Sequence, residues 1–166
     1  MGALKKILIG LGIGGGIVAG GTYLWRLNKT SVNLETVPTV KLHKVDLQGM
    51  VLRVDVTLKN PTRTSLKLKF PFIRLAIKGT SIGSSQSVNQ DIALPAFGEA
   101  KFDAIMIRIP MLSLLSTAKG LLQAVQKSEP FTIDVTTITT IDLKWKKVPY
   151  EKTDSVQLIA GQNGSN

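Results

Sequence analysis

Two periodicities divide the chain. Ile7 to Trp25 form an unbroken run of 19 residues without a charge. From Val40 onward, apolar and polar positions alternate instead, the period of half-buried strands. Val40, Leu42, Val45 and Leu47 alternate with polar residues. Residues 50–58 set Leu52, Val54, Val56 and Leu58 on one face and Arg53, Asp55 and Thr57 on the other. Asn60–Pro61–Thr62 ends that strand. Next, Leu66, Leu68, Phe70 and Phe72 face one way, and then Ile73, Leu75 and Ile77 take over. That slip in parity predicts a β-bulge near Phe72, with Pro71 suited to it. A weaker Ser-rich strand spans 81–94. Another spans 99–109, alternating through Phe102, Ala104 and Met106. Two more fall near 131–145 and 148–159.

Between the fifth and sixth strands the period changes. Met111, Leu115, Ala118, Leu122 and Val125 fall on one helical stripe over 111–127. Seven strands with one inserted helix predict a mainly β domain: a seven-stranded antiparallel β-sandwich, fibronectin- or immunoglobulin-like, behind one N-terminal transmembrane helix. The expected divisions are a basic flank and anchor at 1–26, a tether at 27–36, the sandwich at 37–160 and a tail at 161–166.

The 19-residue run is long enough to span a bilayer. A helix of that length covers about 28 Å, close to the ~30 Å hydrocarbon core. Lys5 and Lys6 flank one end; Tyr23, Trp25 and Arg26 flank the other as interfacial anchors. Gly10 and Gly14, and Gly12, Gly16 and Gly20, repeat at four-residue spacing, which lets a second helix approach closely. The rival reading is a cleaved signal peptide, with Ala19 and Gly21 at the cleavage site and a secreted product. Cations on both sides leave the orientation open.

Charge adds a second theme. The formal net charge is +10. Between Asp55 and Asp91 lie Lys59, Arg63, Lys67, Lys69, Arg74 and Lys78 and no acid. Lys144, Lys146 and Lys147 surround Trp145. Such clusters suit anionic lipid headgroups or nucleic acid, although the first lacks the interleaved aromatics of a nucleic-acid platform.

Catalytic chemistry finds no footing. There is no cysteine, hence no thiol nucleophile, disulfide or zinc–thiolate site. The single histidine, His43, has no serine motif beside it. The acids are scattered singly, and no Gly-rich phosphate loop follows a strand. The expectation is a non-enzyme with no catalytic residue, metal, cofactor or small-molecule substrate.

The strand VLRVDVTLKNPT (51–62), the following FPFIRLAIKG (70–79), Ile82–Gly83 and the strand after Pro95 together resemble the late-embryogenesis-abundant type 2 domain, also called the water-stress and hypersensitive-response domain. The similarity covers roughly 34–159. It implies a fibronectin-like sandwich without catalytic residues, in a family associated with desiccation protection or membrane attachment. Two functions follow as expectations. One is a membrane-anchored structural or assembly protein that contacts other membrane or capsid-type proteins through helix and sandwich, such as a component of a virus or phage particle with an internal membrane. The alternative is a stress-protective or anionic-lipid-binding module.

Overall fold

A computed structural model describes residues 34–159; the basic flank, the glycine stripes and the interfacial anchors of the expected span lie outside the described residues, as does the tail. Nine strands and two short helices follow one another: β1 (Glu35–Asp46), β2 (Gly49–Lys59), β3 (Leu66–Lys69), β4 (Phe72–Ile77), β5 (Thr80–Ser84), β6 (Asp91–Leu94), β7 (Glu99–Pro110), α1 (Met111–Ser116), α2 (Lys119–Gln126), β8 (Pro130–Asp142) and β9 (Lys147–Ile159). β1 begins inside the expected tether. Among the described residues no helix is long and apolar enough to cross a membrane.

All pairings are antiparallel. β1, β2 and β7 form one sheet. In the other, β4 and β3 pair end to end along one edge of β8, while β9 follows the whole of its other edge. β5 and β6 extend this sheet beyond β4 and β3. Leu52, Val54, Val56, Leu58 and Ile107 of the first sheet share one buried cluster with Leu68, Ile73, Leu75, Ile133 and Val135 of the second. Alternation places these side chains inward, and their burial supplies the main driving force for the fold.

The bulge expected near Phe72 is present. Phe72 lies four positions beyond Leu68, whereas their partners Ile138 and Ile141 lie three positions apart. The extra residue moves the buried set from Leu66 and Leu68 to Ile73 and Leu75. It also divides the expected strand into β3 and β4, because Pro71 has no N–H for the ladder. The Ser-rich strand divides likewise into β5 and β6. Seven strands therefore become nine.

Three further expectations are corrected. Met106 is exposed, because β7 carries a second bulge. Val56 lies two positions beyond Val54, but their partners Phe102 and Ile105 lie three positions apart. Ala104 takes the slack with φ +57, and its N–H donates to Asp55 Oδ1 at 2.7 Å. Val45 and Leu47 are exposed too, since His43 sits in a bulge of β1 and Leu47 in the turn that follows. Finally, the single helix is two. The break at Thr117–Ala118 changes which side chains face inward, so Leu114, Ala118, Leu121 and Ala124 are buried while Leu115 stays 55% exposed.

Candidate anionic-surface site

The β8–β9 hairpin, both of whose strands run 13 residues, ends in a four-residue tip, Leu143–Lys146. The tip is fastened twice. Asp142 Oδ1 accepts the Lys144 N–H at 2.9 Å, and the Leu143 N–H donates to the Lys146 carbonyl at 2.9 Å. Lys144 takes φ +72, a left-handed conformation that a residue with a Cβ adopts at a cost of about 1 kcal/mol. The result is a presented tip: Trp145 is 76% exposed, with Lys144 and Lys146 on either side of it.

Beside the tip lies a cavity of about 610 Å³ lined by Thr64, Ser65, Leu66, Lys67, Asp142, Leu143, Lys144 and Trp145. Cross-strand register brings Lys67 to it, opposite Asp142, which itself faces Lys147. A second, smaller depression shares Lys67 and Asp142 and adds Lys69, Asp91 and Lys147.

The loop after β2 forms the next wall. Asn60 is buried, and its side chain organises the loop. Nδ2 donates to the carbonyls of Thr64 at 2.8 Å and Pro95 at 3.0 Å, and Oδ1 accepts the Thr62 N–H and hydroxyl. On the loop's far side, the Phe97 N–H donates to the Thr62 carbonyl at 3.0 Å. Phe97 is also left-handed, at φ +52, and 69% exposed. Thus two exposed aromatics flank one loop, Phe97 itself left-handed and Trp145 directly after left-handed Lys144. Leu34 joins the same end of the domain, where its carbonyl accepts from the Tyr150 hydroxyl at 3.1 Å.

The structure sorts the sequence's basic residues unequally. Lys67, Lys69, Lys144, Lys146 and Lys147 come together here. Asp91, far off in sequence, sits among them and bridges Lys69 at 2.7 Å and Lys67 at 3.3 Å. These lysines hold its carboxyl below the usual range. Lys59 does not join the patch; on the other sheet it lies in register between Glu35 and Glu99. Arg63 is exposed on the loop after β2. Arg74 lies mid-sheet, opposite Thr136, and Lys78 forms the β4–β5 turn with Gly79 at the opposite end. The six cations that share a stretch of sequence therefore do not share a face.

A second polar group went unnoticed in the sequence. The inner face of β9 carries Tyr150, Lys152 and Asp154, all buried. Lys152 Nζ lies 3.3 Å from Asp154 Oδ1 and donates to the Thr36 carbonyl at 3.4 Å. Tyr150 shares a hydrogen bond of 2.9 Å with the Thr36 hydroxyl. Burial pushes the Asp154 carboxyl up, against the opposing pull of Lys152. Continuing the strand's alternation inward from Val156 and Leu158 would have found all three. Among the described residues no group of three or more His, Cys, Asp or Glu could hold a metal ion.

No family model and no curated protein matches the chain. Among solved structures, the fold is similar to a crystal structure of a protein from Archaeoglobus fulgidus (TM-score 0.49, 10% identity, 78% of this chain and 98% of that one). It is similar to a solution structure of a protein from Arabidopsis thaliana (TM-score 0.48, 18% identity, 83% and 89%). A third similarity is to a solution structure described as a late embryogenesis abundant protein (TM-score 0.31, 16% identity, 76% and 74%).

Proposed function

We propose that this chain is a non-catalytic, membrane-attached module of late-embryogenesis-abundant type 2 kind, whose sandwich rests on anionic lipid through the end that carries Trp145. The observation that carries this reading is the exposed, fastened Trp145 tip with lysines on both sides. Tryptophan favours the interface between headgroup and acyl chain, and each nearby cation adds about 1 kcal/mol at an anionic surface. Residues 7–25 act as the attachment. From Arg26 to Leu34 the chain reaches at most about 29 Å, whereas 13-residue strands extend about 43 Å. The end holding Leu34 and Trp145 is then the end nearest the bilayer.

The only buried acid–base pair, among the described residues, is Lys152–Asp154; sealed in the core, it offers no access to a substrate. The assembly reading depends on the glycine stripes, which lie outside the described residues. Co-sedimentation of residues 34–166 with phosphatidylcholine vesicles, with and without phosphatidylglycerol, tests the proposal. Binding should rise with anionic content and fall in Trp145→Ala. Binding indifferent to lipid charge overturns it.

A further inference from the structure

The cavity beside the tip has features that a flat basic surface does not need. Its volume, about 610 Å³, lies in the range of small-molecule sites. Its lining residues carry three chemistries: two lysines (Lys67 and Lys144), two hydroxyl-bearing residues (Thr64 and Ser65) and Trp145. Hydroxyls add nothing to long-range attraction, but they fix the orientation of a bound polar group. Asp142 also lines the cavity, yet its Oδ1 already receives the Lys144 N–H, and it lies in register between Lys67 and Lys147. Asp91 is similarly engaged by Lys67 and Lys69. Across both depressions and the tip, five lysines (67, 69, 144, 146, 147) face two aspartates (91, 142), an excess of three positive charges.

A compact anion is thereby favoured, and one with a hydroxylated body suits the remaining walls. The geometry points to a site for a phosphorylated polyol: the phosphate between Lys144 and Lys67, and the polyol against Trp145, within reach of Thr64 and Ser65. The strain at Lys144 fits this role. Left-handed lysine adds nothing to the fold that glycine would not supply at lower cost, but it adds a cationic residue to the cavity's lining. This inference rests on the proposed lipid contact and narrows it from a charged surface to a headgroup pocket. The same chemistry occurs in lipid headgroups and in free polyol phosphates.

The test uses the isotope-labelled full chain in zwitterionic micelles, titrated with glycerol 3-phosphate, inorganic phosphate and glycerol, and followed by amide and indole resonances. Saturable shifts confined to Ser65, Lys67, Lys144 and the Trp145 indole are expected with the phosphates and absent with glycerol. Lys144→Gln should weaken binding about tenfold, the loss of one charged hydrogen bond, with all other resonances unchanged. Tighter binding of glycerol 3-phosphate than of inorganic phosphate supports the polyol phosphate, and its displacement by phosphatidylglycerol vesicles assigns the site to a headgroup rather than to a free polyol phosphate; tighter binding of inorganic phosphate overturns the polyol. Shifts that never saturate, or that spread over every surface lysine, overturn the pocket. If they do so while vesicle binding persists, the broader lipid reading survives alone. If vesicle binding is also lost, both fall.

Discussion

The side-chain amide of Asn60 donates to the Pro95 carbonyl at 3.0 Å, across 35 positions of sequence. With the bond to Thr64 and the two accepted from Thr62, it ties the loop after β2 to the loop before β7. The backbone N–H of Asn60 adds a bond to the Gly98 carbonyl at 2.9 Å. The Asn-Pro strand end is thus the structural joint that holds Phe97 and the cavity wall in place.

Asn60→Ala should therefore be costly. The carbonyls of Thr64, Leu94 and Pro95 lose a donor at once, and Asn60 itself is buried, so with about 1–3 kcal/mol for each buried polar group left unsatisfied a loss of about 2–4 kcal/mol is expected in urea unfolding. Asn60→Asp should be no better, because a carboxylate cannot donate to the carbonyls of Thr64 and Pro95. A cost within about 0.5 kcal/mol would mean that these loops are held by something else.

Lys144 and Phe97 allow stability and binding to be separated. Glycine relieves the left-handed backbone at either site. Lys144→Gly and Phe97→Gly should each raise stability by up to about 1 kcal/mol while weakening binding to anionic vesicles. If glycine lowers stability at both positions, the side chains serve packing, and the strain says nothing about the surface.

The sequence made the regular parts of the fold legible and the long-range parts obscure. Leu52, Val54, Val56 and Leu58 alternate without interruption, and they do form the buried face of β2. The parity slip around Pro71 likewise marked its bulge, since both halves of the pattern lie in one short stretch. The bulge of β7 could not be read this way. Ala104 carries no sign of it, because the carboxylate that receives its N–H belongs to Asp55, 49 residues earlier. The pairing of Lys67 and Lys69 with Asp91 is hidden for the same reason, and so a run of six cations reads as one cluster. Trp145 and its lysines were legible because a hairpin tip is local.

Tyr150 offers a clean spectroscopic check on the packing of β1 against β9. Burial raises its phenol from 10.0 to about 12, although the hydrogen bond with Thr36 acts in the opposite direction and Asp154 adds to the rise. The chain has two tyrosines, so in Tyr23→Phe the phenolate absorbance reports Tyr150 alone. Its midpoint should lie near 12 in the folded chain and near 10 once unfolded. Because the unfolded state ionises first, the contribution of Tyr150 to stability should fall as pH rises from about 10 towards 12. A folded midpoint near 10 would place the hydroxyl in solvent.

The Lys152–Asp154 pair should behave as a buried charge pair behaves. Removing one partner leaves the other charge unpaired in the core, so Lys152→Met is expected to cost about 3–5 kcal/mol in urea at neutral pH. Replacing both, as Lys152→Met with Asp154→Leu, removes the desolvation cost along with the attraction and should be neutral or stabilising by about 1–4 kcal/mol. The pH dependence has a definite sign. Lys152 and Tyr150 of β9 are the titratable groups coupled to Asp154, Val135 of β8 lies opposite it, and burial outweighs Lys152 in raising the carboxyl above its ordinary 3.8. A raised acid binds its proton more tightly when folded. Its stabilising contribution is therefore complete below the ordinary carboxylate range and is lost as pH rises through the folded value. Asp91, held low by its lysines, contributes in the opposite sense and is lost on acidification. Comparing Asp154→Asn with the parent chain across acidic pH isolates the first effect: the parent should lose stability relative to the variant as pH rises. If the parent instead gains on the variant over that range, the attraction of Lys152 outweighs burial, and the pair is a stabilising ion pair within β9.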